Sequence, residues 1–154
     1  MTITGEDTLQ HLLPSFYKQY KLDGDGGIND SKVKIEINKR FYFYIPNFPS
    51  RKKAVLKHDI HHIITGYPSH FIGETEISAW EVASGCKSYW IAWALNFHGM
   101  VAGFWFNLRG IYHAFVRGRR SKNLYSNLVT DREVLEMHVN DLQNLLTIPL
   151  MMLN

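Results

Sequence analysis

A Gly-Tyr-Pro break at 66–68 separates two stretches of helical sequence and limits the chain to folds in which these two helices are neighbours. The first stretch, 51–65, follows Ser50, a residue typical of a helix N-cap, and stops at a glycine suited to the left-handed position after a helix. The second stretch covers 72–84 and also ends at a glycine. Because the break is short, it predicts that the chain reverses and that the second helix returns beside the first.

The rest of the chain predicts more helix and little strand. An amphipathic helix is expected over 7–20, interrupted or restarted at Pro14, and residues 130–146 open with a Thr-x-x-Glu capping box. The Gly- and Asp-rich segment 22–31 predicts a loop, and the apolar-polar alternation near 32–45 predicts an extended segment or at most a small hairpin. We therefore expect an all-α protein, with one domain over residues 1–154.

The apolar stretch 88–108 allows three interpretations. It is just long enough to span a bilayer, but Asn96, His98 and Asn107 are costly in lipid. We therefore expect a core helix rich in aromatic residues, and the alternative is a helix that lines a cavity for an apolar ligand. The walls of that cavity would be Trp90, Trp93, Phe97, Phe104 and Trp105.

Composition narrows the function classes. A hydrophobic fraction of 45% argues against disorder. The net charge is only +3, and the aromatic residues are not interleaved with Lys and Arg, so we expect no nucleic-acid partner. Cys86 is the sole cysteine, which excludes an intramolecular disulfide and a Cys-rich zinc module and suggests a small buried side chain. The N-terminal residues resemble neither a signal nor a transit peptide, so a cytoplasmic protein is expected.

Basic residues form clusters at 39–40, 51–53 and 117–122. An anionic lipid surface or a phosphate can use such clusters, and a solvated face explains them equally well. The candidates for a lipid phosphate or a carboxylate are Arg117, Arg119 and Arg120.

The motif His-Asp-Ile-His-His at 58–62 carries the chemistry. His58 and His62 are four residues apart, so a helix places both on one face, with Asp59 beside them. Two such histidines and a carboxylate form half of a divalent-metal site. His61 lies outside this facet; it is a candidate proton carrier, and the alternative is a packed or solvated side chain.

The predicted chain reversal supplies a further ligand. Glu74 falls in the first turn of the returning helix and is the expected donor, whereas Glu76 points about 200° around that helix, so the two cannot both serve. Glu81 lies two turns beyond Glu74 on the same face and is expected to support the ligands or to bind substrate. The competing interpretation is a chance cluster of surface histidines.

Two chemistries fit this site. One is a zinc hydrolase related to His-Glu-x-x-His enzymes, in which Asp59 is a shortened general base and Glu74 the third ligand. The other uses mixed His and carboxylate ligands on Zn, Mg, Mn or Fe for Lewis-acid chemistry on an oxygenated substrate, or for dioxygen activation by iron.

The span from His58 to Glu74 resembles the signature of the coenzyme Q (ubiquinone) biosynthesis protein 4 family. That signature reads His-Asp, two residues, His, eleven residues and Glu, and the chain carries it with Thr65-Gly66 after the second histidine and Gly73 before the glutamate. The resemblance covers about residues 50–150 and fades upstream, where this chain is shorter than a typical member.

The resemblance implies an all-helical protein that binds zinc through four ligands: His58, Asp59, His62 and Glu74. It also implies a prenyl lipid or apolar aromatic ligand, peripheral association with the inner membrane, and a homo-oligomer or a biosynthetic complex. The expected role is oxidative decarboxylation of a quinone precursor, a lyase-type reaction, or organisation of its synthesis. The alternatives are a tailoring metalloenzyme of a specialised pathway and a non-catalytic lipid-binding scaffold with a structural metal.

Overall fold

A computed structural model describes residues 4–22, 31–36, 42–47 and 49–149. These residues are mainly helical, which confirms the expected fold class. The α-helices are α1 Leu9–Tyr20, α2 Pro49–Thr65, α3 Phe71–Ser84, α4 Trp90–Gly103, α5 Leu108–Arg119, α6 Asp131–Glu136 and α7 Val139–Leu145. A short 3₁₀ turn, Leu124–Ser126, lies between α5 and α6.

A small hairpin separates α1 from α2. Strand β1 (Lys32–Glu36) pairs antiparallel with β2 (Tyr42–Pro46). Of the two expectations for this segment, the hairpin is therefore correct. Most of the predicted loop at 22–31 and the basic pair at 39–40 lie outside the described residues.

Helix α1 is continuous through Pro14, so the expected interruption there was wrong. The buried face of the helix includes Leu12, Leu13 and Phe16, which belong to the main core together with residues of α2. Since tertiary packing supplies most helix stability in proteins, this burial outweighs the hydrogen bond that the proline removes.

The break between α2 and α3 follows the prediction. Gly66 has φ 80° and its N–H donates to the carbonyl oxygen of His62, which ends α2 in the left-handed conformation that glycine favours. Helix α2 begins at Pro49, just before the expected Ser50 cap, and a proline is well suited to a first turn. The return of the chain places the start of α3 beside the end of α2.

The apolar stretch 88–108 is not one core helix, and this expectation was wrong. Helix α4 ends at Gly103, a turn follows, and α5 begins at Leu108. The large side chains of α4 and the turn face outward, with Trp90 67% and Trp105 88% exposed. We call the aromatic members of this surface the aromatic ridge: Trp90, Trp93, Phe97, Phe104, Trp105 and Phe106.

Helix α4 packs on α3 through small and polar side chains. Ala92, Asn96 and Gly103 are buried, and a Cβ atom built at Gly103 would lie 2.5 Å from the Cβ of Thr75 on α3. Close approach of two helices therefore requires glycine here. In the described part of the chain, no helix is both long enough and apolar enough to cross a membrane.

The C-terminal segment forms two short helices. The capping box of Thr130 and Glu133 is present at the start of α6. The chain becomes extended at Met137 and His138, because the N-terminal segment pairs with it there: the Leu9 N–H donates to the Met137 carbonyl, and the Val139 N–H to the Asp7 carbonyl. Residues 5–9 thus meet residues 137–140 beside the main core.

Candidate metal centre

Two histidines of α2 are held with their Nε2 atoms facing each other. The Nδ1–H of His62 donates to the backbone carbonyl of Tyr67 at 2.8 Å, and that of His58 donates to the Glu81 carboxylate at 3.1 Å. Since a carbonyl oxygen and an ionised carboxylate can only accept, these contacts place a proton on each Nδ1 and turn each Nε2 toward the cluster. The two Nε2 atoms are 3.2 Å apart.

Glu74, in the first turn of α3, completes the cluster. One carboxylate oxygen lies 3.2 Å from Nε2 of His58, and the other lies 3.2 Å from Nε2 of His62. Ser69 in the preceding loop donates its hydroxyl to this carboxylate at 2.7 Å and holds its orientation. The ligand atoms of His58, His62 and Glu74 all lie within 4.8 Å of one another.

When neither Nε2 carries a proton, this cluster consists of acceptor atoms, and such a set suits a cation. A proton on one Nε2 supplies part of the positive charge, and a divalent metal supplies all of it. Donors around a tetrahedral zinc ion, at about 2.0–2.1 Å from it, lie about 3.3 Å from one another. The observed separations of 3.2 Å match that geometry, so the residues present fit a metal. The histidines also have the carboxylate and carbonyl partners that orient metal ligands.

The charges of the site favour a positive ion at this point. Burial would lower the pKa of His58, but the carboxylates of Glu81 and Glu74 raise it well above its usual value. For Glu74, burial would raise the pKa, and the hydrogen bonds and charges of His58 and His62 lower it far below the usual value.

Asp59 is next to the cluster without belonging to it. Its Oδ2 accepts the Tyr17 hydroxyl of α1 at 3.1 Å, and it is not among the residues whose ligand atoms converge. Burial raises the pKa of Asp59 to about 6, against the opposing effects of His58 and Tyr17. The structure thus brings together three of the four predicted ligands and leaves Asp59 bordering the same cavity.

Glu81 is the centre of a buried network behind His58. Its side chain is fully buried; one oxygen accepts from His58 and His61, and the other from Asn96 and the Tyr125 hydroxyl. The carboxylate is therefore occupied by four donors. Of the two roles expected for Glu81, this arrangement agrees with support of the metal ligands. A fully buried carboxylate with four donors cannot reach a substrate.

His61 is packed and does not face the cluster. The Leu124 N–H donates to its Nε2 at 3.0 Å, and its Nδ1–H donates to Glu81 at 2.5 Å. Burial lowers the pKa of His61, despite the charge of Glu81. Its side chain has no exposed surface, so the packed alternative describes it and the proton-carrier role has no support.

Other candidates from the sequence have structural roles. Arg117 donates to the carbonyl oxygens of Thr65 and Pro149 and lies over the Tyr67 ring, so it joins α5 to the end of α2 and the C-terminal segment. Glu76 accepts from Asn107 and lies outside the cluster. Cys86 is buried as expected, and burial raises its pKa to about 12.

A cavity of about 440 Å³ opens beside the cluster. Its metal end is formed by His58, Asp59 and Glu74, and its apolar wall by small and aliphatic side chains of α2 and α4. The aromatic ridge does not line it, so the alternative of aromatic walls does not describe this cavity. The sequence did not place Asn96 and Tyr125, which the cavity shares with the network, at the site. It marked Arg51 only as part of the basic cluster 51–53, although Arg51 lies about two helical turns before His58.

Comparisons with known proteins give no relative from which a role could be transferred. No protein-family model matches the chain, and no curated protein or solved structure matches it.

Proposed function

We propose that the chain is a divalent-metal protein, with zinc as the metal, of the kind found in the coenzyme Q biosynthesis protein 4 family. In this proposal the cavity holds a prenylated or otherwise apolar aromatic molecule, and the protein promotes oxidative decarboxylation of a quinone precursor or organises its synthesis. The observation that carries the proposal is the convergence of His58, His62 and Glu74 at one end of a cavity with an apolar wall.

The number of converging ligands favours catalysis over a structural metal. Structural zinc sites use four protein ligands, whereas catalytic sites use three and keep one position for water or substrate. Three ligands converge in the described part of the chain, next to the cavity. A metal bound there would supply Lewis acidity toward a carboxylate or phenol oxygen of the ligand. The chain's own groups would orient the ligand and exclude water from it.

Metal content tests this proposal. We expect one zinc per chain in protein purified without chelator, and loss of that zinc together with a lower Tm in Glu74→Gln. The control is Glu76→Gln, which removes a carboxylate from the same helix outside the cluster. Metal well below one equivalent, with no effect of Glu74→Gln on metal content or Tm, contradicts the proposal. Native mass spectrometry of protein extracted from membranes should show a bound apolar molecule, and its repeated absence contradicts the ligand part.

The aromatic ridge supports the peripheral membrane part of the proposal. Exposed Trp and Phe side chains suit a bilayer interface, and Arg119 and Arg120 are exposed basic residues that could meet anionic lipid. We expect the wild-type protein to sediment with anionic vesicles. The double variant Trp90→Ser/Trp105→Ser should lose this binding. Tyr44→Ser, at a tyrosine 59% exposed on the hairpin, is the control and should bind as the wild type does. Equal binding by all three proteins contradicts a membrane role for the ridge.

A further inference from the structure

The cavity has a cationic side chain at the other end from the metal cluster. Arg51 lines the same cavity as His58 and lies seven residues before it on α2. Seven residues are almost two full helical turns, so both side chains leave the same face of α2, about 10 Å apart along its axis. Ala54 and Val55 lie between them and form part of the apolar wall.

This guanidinium has few partners among the residues that the structure describes. Its one hydrogen bond to the described residues goes from Nη1 to Oδ1 of Asn47, at 3.0 Å. No carboxylate of the described chain forms an ion pair with it; Asp59 acts on it only through the longer-range field of its charge. The side chain is also partly buried, and burial lowers its pKa. A desolvated cation with unused donors is stabilised by an anion that meets it in the cavity.

The two carboxylates that line the cavity do not meet this need. Glu74 is directed at the two histidines, and Asp59 accepts from Tyr17. Among the described residues, neither carboxylate of the cavity is thus paired with Arg51, and an anionic group on the ligand would complement it. A planar guanidinium suits a carboxylate or a phosphate, which it can bind through two parallel N–H groups.

We propose that Arg51 is an anion-binding subsite that selects an amphipathic ligand with a carboxylate or phosphate group. The anionic group lies at Arg51, the apolar part lies along Ala54 and Val55, and a different part of the ligand faces His58 and Glu74. The metal cluster and the acidic group thus occupy opposite ends of the cavity. This inference deepens the proposed function and rests on it for the cavity as the substrate site.

Matched ligands test the subsite directly. Decanoate, decyl phosphate and decanol share one alkyl chain and differ in the head group, and each is titrated calorimetrically into the zinc-treated protein below its micelle concentration. We expect the wild type to bind at least one anionic probe about ten-fold or more tightly than decanol, as charge-assisted hydrogen bonds imply. The stronger of the two anionic probes identifies the group as carboxylate or phosphate.

Two variants assign the preference to Arg51. Arg51→Gln should remove the difference in affinity between the anionic probes and decanol without loss of zinc, and Arg51→Lys, which keeps the charge without the planar fork, should restore part of that difference. Lys53→Gln makes the same charge change on α2 at an exposed residue outside this cavity, and should keep the full preference. A wild type that binds none of the probes, or binds all three equally, overturns the inference. An equal loss in Lys53→Gln also overturns it.

Zinc measured on the same samples separates the two proposals. Protein that binds no zinc but prefers anions through Arg51 contradicts the metal proposal and supports the subsite. Protein that binds zinc through Glu74 but shows no anion preference contradicts the subsite and supports the metal proposal.

Discussion

At the scale of single residues, the site depends on which histidine nitrogen keeps its proton. His58, His62 and Glu74 could be predicted from sequence because helical periodicity and one short turn bring them together. The positions of Asp59 and His61 could not, because their partners are far along the chain: Tyr17 binds Asp59, and the Leu124 backbone binds His61. Sequence patterns carry local spacing, whereas these contacts require the packed core.

Glu81 should control metal affinity without touching the metal. In Glu81→Gln the ionised acceptor for the Nδ1–H of His58 is lost, so His58 is no longer held in the tautomer that presents Nε2. We expect zinc affinity to fall about 10–100-fold, the range found when the outer partner of a ligating histidine is removed. Competition with a fluorescent chelator measures the affinity.

A purely structural role of Glu81 predicts a different result. The variant would then lower the Tm and leave the affinity of the folded protein for zinc unchanged. Nitrogen chemical shifts of His58 report its tautomer and should change in Glu81→Gln. Glu76→Gln on the same helix should alter neither zinc affinity nor those shifts, since Glu76 binds Asn107 away from the cluster.

At the scale of elements, helix α4 shows where a hydrophobicity pattern misleads. The sequence pattern predicted that the aromatic residues of this helix are buried. The buried face instead consists of small side chains, and the aromatic ridge is exposed. Helices that approach closely bury glycine and alanine because these leave room for the neighbouring backbone. Apolar content alone does not tell which face of such a helix is inside, whereas the glycines that end α2 and α3 were readable from sequence.

Gly103→Ala tests this close packing of α4 on α3. Alanine normally stabilises a helix relative to glycine by about 0.5–1 kcal/mol. Here the added Cβ would lie 2.5 Å from the Cβ of Thr75 and 2.7 Å from Cδ1 of Ile111, so we expect a loss of about 1–3 kcal/mol in the free energy of unfolding, typical of overpacking. Urea denaturation measures it.

The adjacent position is the matched control. Ala102 is exposed on α4, and Ala102→Leu should change the free energy of unfolding by no more than about 0.5 kcal/mol. If Gly103→Ala stabilises the protein, the helices have room for a methyl group and the packing described here is incorrect.

At the scale of the whole molecule, a buried ion pair joins α2, which carries the metal ligands, to the C-terminal helices. Nζ of Lys57 lies 2.6 Å from the Asp131 carboxylate, with the Lys57 side chain only 3% exposed. The residues are 74 positions apart, so no local pattern could have predicted the contact. Removing Asp131 leaves a buried ammonium group without its partner, which is strongly unfavourable.

We expect Asp131→Asn to lower the free energy of unfolding by about 1–3 kcal/mol, less than for a fully buried pair because Asp131 is 39% exposed. Adding Lys57→Met to this variant should recover most of the lost free energy of unfolding, since no buried charge then remains. The recovery is incomplete because the first turn of α6 still lacks the acidic side chain that favours it. Glu136→Gln is the control on α6: it breaks a pair with Arg132, whose side chain is 90% exposed, and should cost less than about 1 kcal/mol. Equal effects of Asp131→Asn and Glu136→Gln in urea denaturation, or no recovery in the double variant, would mean that the Lys57 pair does not hold the two halves of the chain together.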